Sequence, residues 1–240
     1  MPTKHIVKSF DQDLKRLDNV IAEMGGLAET QLANAIDALV RRDGDLAERV
    51  IDADDRIDTL DREVDNQATT LLALRQPVAG DLRIIIAALR ISGVIERIGD
   101  YAKNIAKRTV ALTQAPPVGP TKTIARMAFL VQDRIKTVLD AYVERDAQKA
   151  RDVRMGDEEV DALYTSLFRE LLTYMMEDPR NITSCTHLLF VAKNIERMGD
   201  HATNIAKNVL YLVDGDLPLG RRPKGDASSY TVLTPDEAAS

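Results

Sequence analysis

The chain has 240 residues, enough for one or two ordinary domain cores, and its 45% hydrophobic and 29% charged content with no Trp suits amphipathic helices rather than a β-rich interior. Its 38 acidic against 32 basic residues leave a net charge of -6, which works against nucleic acid or anionic lipid as a partner. A single cysteine excludes an intramolecular disulfide, and the longest apolar stretch in the first half, Ile84 to Leu89, is far short of the roughly 20 residues that span a bilayer. With no signal-peptide order near the start, the expectation is a cytoplasmic protein.

Proline breaks helix interiors, and all nine prolines avoid the periodic stretches. In the first stretch Phe10, Leu14, Leu17, Ile21, Met24, Ala28, Ala35 and Ala38 follow three- and four-residue steps, with polar Gln31 filling the one interruption. Gly25 and Gly26 lie inside this helix and imply close packing or a local irregularity. Asp43, Gly44 and Asp45 form a turn. A second helix carries Ile57, Leu60, Val64, Leu71 and Leu74 on one face and stops before Gln76-Pro77. A third runs from about Asp81 to Leu112, where Ile85, Leu89, Gly93, Ala102 and Ala106 imply close approach to a neighbour.

The segment Gln114 to Pro120 cannot continue a helix and divides the chain. Three further helices follow at about 121–144, 147–177 and 184–213, and a Gly-, Pro- and Ser-rich tail then reads as disordered. Arg221, Arg222 and Lys224 in that tail read as a solvated linker. The expected units are residues 1–115, 121–213 and a tail over 214–240.

The segment Glu96-Arg97-Ile98-Gly99-Asp100-Tyr101-Ala102-Lys103-Asn104-Ile105-Ala106-Lys107 returns as Glu196-Arg197-Met198-Gly199-Asp200-His201-Ala202-Thr203-Asn204-Ile205-Ala206-Lys207, identical at nine of twelve positions. Upstream, Arg42-Asp43 aligns with Arg145-Asp146, Ala47 with Ala150, Val50 with Val153 and Asp58 with Asp161. An internal duplication follows. The fold class expected is all-α, two tandem pseudo-symmetric antiparallel three-helix bundles.

In each copy the third helix presents Glu, Asp and Asn at i, i+4 and i+8, near one face: Glu96, Asp100 and Asn104, then Glu196, Asp200 and Asn204. The preceding helix adds Asp54 and Asp58, and in the second copy Asp157 and Asp161. A hairpin centred on Pro77 levels Asp54 with Asp100 and Asp58 with Glu96. A hairpin centred between Asp178 and Pro179 does the same for Asp157 with Asp200 and Asp161 with Glu196. Like charges one turn apart repel by about 0.2–0.5 kcal/mol, so arginine or a metal should compensate. Oxygen-only ligands favour magnesium, calcium, manganese or iron over structural zinc. The alternative is a solvated acidic face neutralised by Arg97, Arg197 and neighbouring lysines; the duplicated register favours the ion site.

A metal-dependent hydrolase or oxidase is a competing reading, but the Glu-x-x-His pattern of di-metal bundles is absent, because Gly99 and Gly199 stand at that spacing. His201 is matched by Tyr101 and reads as a surface residue, His5 and His187 are isolated, and Cys185 reads as a small packing residue. A third reading is a metal-free helical scaffold.

The doubled Glu-Arg-Ile/Met-Gly-Asp motif, with Ala73-Leu74-Arg75-Gln76-Pro77 before the first copy and Thr173-Tyr174-Met175-Met176-Glu177-Asp178 before the second, resembles the PhoU family over about residues 5 to 213. The resemblance implies two three-helix bundles whose E/D-x-x-x-D motifs hold multinuclear metal clusters. Matching positions here are Glu96 with Asp100, Glu196 with Asp200, Asp54 with Asp58 and Asp157 with Asp161; Asn104 and Asn204 are carried over as further ligands. It also implies binding rather than turnover: negative control of the phosphate regulon, with the phosphate transporter's ATPase subunit and a sensor histidine kinase as partners, and a homodimer.

Overall fold

The computed structural model describes residues 3–156 and 158–216, which form seven α-helices and no strand. Helices α1 (Thr3–Arg41), α2 (Gly44–Arg75) and α3 (Ala79–Thr113) pack as one antiparallel bundle. Helices α4 (Thr121–Glu144), α5 (Ala147–Met155), α6 (Glu158–Glu177) and α7 (Ile182–Asp214) form the second, with α5 and α6 together taking the place of α2. A 3-10 turn, Pro179–Asn181, leads into α7.

The heptad-like stripe of α1 is the core of the first bundle: Leu17, Ile21, Met24, Ala28, Leu32, Ala35 and Ala38 are all fully enclosed, facing Ile57, Leu60 and Val64 from α2 and Ile91, Ile95 and Ile98 from α3. Each such large aliphatic side chain contributes about 1.5–3 kcal/mol when removed from water. Leu74, expected on the same face as Leu71, is instead 74% exposed. It falls in the last turn of α2 and lines an open pocket with Asp13, Arg16 and Leu71.

The helix starts repeat between the halves. Asp43 accepts from the Leu46 backbone N–H at 2.8 Å to begin α2, and Asp146 accepts from Gln148 and Lys149 at 2.8 and 3.0 Å to begin α5. Arg42 and Arg145, just before these caps, both adopt a left-handed backbone with φ 57°. The first turn therefore lies at Arg42-Asp43, and Gly44 is already helical.

The expected helix over 147–177 is two helices, interrupted at Gly156. The equivalent position in the first copy is Ala53, inside the unbroken α2. Alanine favours the helix interior over glycine by about 1 kcal/mol, which contributes to the difference. Asp157, which follows the break, lies outside the described residues, as does the tail from residue 217 with its basic cluster.

Two seams join the bundles, α3 against α7 and α1 against α4. In the second, a Cβ on Gly25 would stand 2.7 Å from Leu139 Cδ1, so this glycine sets the approach of α4, whereas Gly26 faces open space. Close packing is therefore the explanation at Gly25, and α1 runs through both glycines without a break. Nearby, Tyr142 of α4 donates its hydroxyl to Asp18 of α1 at 2.5 Å and Arg145 donates to the same carboxylate at 2.6 Å.

Candidate functional site

Helix α2 sets Asp54 and Asp58 one turn apart, and antiparallel α3 sets Glu96 and Asp100 one turn apart beside them. The carboxylates of the two helices are neighbours: Asp58 feels the charges of Asp54 and Asp100, and Glu96 feels those of Asp100, Asp58 and Asp61. Partial burial, followed by these like charges, holds the carboxyl groups of Asp58 and Glu96 above the usual carboxylate range. Arg97 moderates the effect at Glu96.

The cation that meets the deepest carboxylate is a lysine. Asp54 is 1% exposed and accepts from Lys103 Nζ at 2.7 Å. That hydrogen bond, foremost, raises the lysine above its usual pKa. Behind Asp54 lies Gln31, whose Oε1 is enclosed with no hydrogen-bond partner. Gly99 admits both groups: a Cβ there would stand 3.0 Å from Ile57 Cδ1, 3.2 Å from Asp54 Oδ1 and 3.4 Å from Gln31 Oε1. Asn104 is exposed one turn beyond Asp100.

In the second copy Asp161 and Glu196 are 2% and 4% exposed, while Asp200 is half-buried. Glu196 Oε2 lies 3.0 Å from Lys193 Nζ, an ion pair that lacks hydrogen-bond geometry, since the same oxygen is enclosed without a hydrogen-bond partner. Lys193 Nζ also lies 4.8 Å from the Tyr164 ring centre. Asn204 is placed elsewhere: its side-chain oxygen accepts from Lys207 Nζ at 3.3 Å, in a groove between α3 and α7. Among the described residues no three or more His, Cys, Asp or Glu side chains stand as a ready metal-ligand group.

The two lysines escape a comparison of the repeats because they differ between copies. Lys103 is matched by Thr203, and Lys193 by Gly93. Each half thus brings an ammonium to its acidic face from a different position on its third helix. Gln31 carried a visible signal, a polar residue interrupting an apolar stripe.

His201, read from sequence as a surface residue, is half-buried where α3 crosses α7. Its ring stacks on that of Tyr101 with centroids 5.4 Å apart and planes at 27°. Tyr101 and His201 are repeat counterparts, so their meeting marks the pseudo-two-fold axis between the bundles. Burial, then Arg97 and Arg197, lower the His201 pKa and favour the neutral imidazole. Cys185 is fully buried, as a packing residue should be, and burial raises its thiol pKa.

The PhoU domain matches the chain twice, at residues 21–109 and 124–209. A phosphate-specific transport system accessory protein PhoU homolog of Caulobacter vibrioides is 54% identical over 95% of this chain and 99% of its own, and one of Rhizobium meliloti is 50% identical over 95% and 97%. The crystal structure of PhoU from Pseudomonas aeruginosa superposes with a TM-score of 0.83 at 39% identity, covering 86% of this chain and 100% of that one. That of the phosphate transport system regulatory protein PhoU from Streptococcus pneumoniae gives 0.81 at 28% identity, over 87% and 99%. With both bundles matched and near-complete relatives at this identity, the chain belongs to the PhoU family.

Proposed function

We propose that this protein is a cytoplasmic, metal-binding adaptor that acts as an accessory of phosphate transport and a negative regulator of the phosphate regulon. It joins the ATPase subunit of a high-affinity phosphate transporter to a sensor histidine kinase, and acts as a homodimer. The observation that carries the reading is the near full-length similarity to phosphate-specific transport system accessory proteins. No helix among the described residues is long and apolar enough to cross a membrane, which agrees with an adaptor that meets the transporter from outside the bilayer. Binding, not turnover, is its work. Deleting the gene should leave phosphate-starvation genes expressed in rich phosphate; normal repression in the deletion strain would reject the assignment.

The carboxylates supply the metal-holding part of this proposal. Asp54, Asp58, Glu96 and Asp100 would serve one centre, and Asp157, Asp161, Glu196 and Asp200 the other. Their donor chemistry suits a hard cation, magnesium, calcium, manganese or iron. Two features support the fit: carboxyl groups of Asp58 and Glu96 whose proton affinity is raised by burial and then by neighbouring carboxylates, and a buried Glu196 oxygen without a hydrogen bond. A bound cation would add positive charge between these groups and cross-link the second and third helices of each bundle. The protein's own part is to hold the oxygens level and to move Lys103 and Lys193 aside.

The metal-free scaffold is the second reading, favoured by the ion pairs that Lys103 and Lys193 already make with Asp54 and Glu196. Metal analysis of protein purified without chelator separates the two. Stoichiometric metal that disappears on Glu96→Gln with Glu196→Gln supports the adaptor with metal, and clean absence under metal-replete conditions supports the scaffold.

A further inference from the structure

The groove where α3 meets α7 has a volume of about 440 Å3 and a basic, amide-rich lining in a molecule of net charge -6. Arg90 and Arg97 come from α3, and Asn204, Lys207 and Asn208 from α7, and no carboxylate is among the lining residues. Three cationic side chains and two amides thus converge from two repeats. Arg90 lies 5.3 Å from the Tyr211 ring centre, which holds the guanidinium at the groove rather than against an acid. Lys207 is held by its hydrogen bond to Asn204.

The pseudo-symmetric counterpart of this groove is lined differently. The counterpart of Arg90 is Phe190, and that of Asn208 is Arg108, whose guanidinium covers the Phe190 ring at 4.1 Å. The counterpart of Gly93 is Lys193, which carries a long side chain and pairs with Glu196. A Cβ on Gly93 would meet nothing within 4 Å, so packing does not require this glycine. What the missing side chain does is leave the floor of the groove open.

We propose that this groove binds the phosphate group of a small ligand. Guanidinium forks, an ammonium and amide N–H groups are donors matched to the several acceptor oxygens of a multiply charged tetrahedral anion. The volume falls in the range of about 300–1,000 Å3 typical of small-molecule sites, so it admits either orthophosphate with water or a nucleotide. The proposal is independent of the carboxylate centres and of the regulatory role.

The test is isothermal titration calorimetry of the full chain stripped of divalent metal, which removes any phosphate held through a cation at the acidic faces. Inorganic phosphate and ADP are the two probes. At least one binds the parent protein, more weakly as salt is raised, and loses affinity about tenfold or more in Gly93→Glu and in the Arg90→Gln, Arg97→Gln double variant. Phosphate binding that ADP matches identifies the free ion as sufficient; ADP binding without phosphate binding identifies the nucleotide. Gly93→Glu places a better helix former in open space, so its thermal melt should stay at or above the parent's. If that variant does not fold, the arginine double variant decides alone. No binding of either probe at millimolar concentration, or affinities unchanged in a folded variant, overturns the proposal.

Discussion

Asp58 and Glu96 are costly residues for the metal-free fold. Their carboxyl groups bind protons more tightly folded than unfolded, so the folded state carries more protons than the unfolded one as pH rises through and above the usual carboxylate range of roughly 4. The slope of stability against pH is then negative: these two groups destabilise the fold above their raised pKa values, and that penalty is relieved as pH falls below the ordinary ones. Glu96→Gln should therefore melt higher than the parent at neutral pH in metal-free buffer, by a few tenths of a kcal/mol, the scale of one like-charge pair. Near pH 4 the two melts should converge, as differential scanning calorimetry would show. Gly99→Ala should go the other way. Its Cβ would press on Ile57 at 3.0 Å and on two buried oxygens, costing about 1–3 kcal/mol in urea denaturation. At this scale the candidate acids were legible, because their i, i+4 spacing belongs to the helix itself, and so was Lys193, one turn from Glu196; the partner of Asp54 was not, because no spacing links it to Lys103 on another helix.

Helices α1 and α2 show how much an element's own residues decide. Adjacent glycines in α1 should respond differently to alanine: Gly26→Ala faces open space and should stabilise by about 0.5–1 kcal/mol, while Gly25→Ala must displace the Leu139 side chain and should gain less or lose stability. Paired chemical denaturation of the two variants checks this. The break at Gly156 and the continuity at Ala53 follow the same propensity, yet periodicity alone carried the expected helix across the break. Register between elements can also be read back from charge. Glu23 pairs with Arg56 at 2.5 Å, and their counterparts Arg126 and Glu159 pair at 2.9 Å with the signs exchanged. Exposed pairs of this kind are worth about 0–1 kcal/mol each, so the exchange is evidence of shared geometry more than of stability.

The two bundles become one molecule at the α1–α4 and α3–α7 seams. Tyr142 is fully buried between them, and burial with the Asp18 charge pushes its phenol far above the ordinary value, so it remains a hydrogen-bond donor. Tyr142→Phe should cost about 1.5–3 kcal/mol, the scale of a hydrogen bond to a charged acceptor, with Arg145 still holding Asp18. A urea titration followed by far-UV circular dichroism measures the loss.

Two copies, three helical periods in each, and acids spaced by one turn were all readable from residue order, since periodicity and self-similarity are local properties of a chain. Docking of the copies was not, and with it went the stacked Tyr101 and His201, the Tyr142–Asp18 lock and the groove between Arg90 and Lys207. Those contacts join residues about a hundred positions apart, and such pairs meet only through the shapes of two finished bundles.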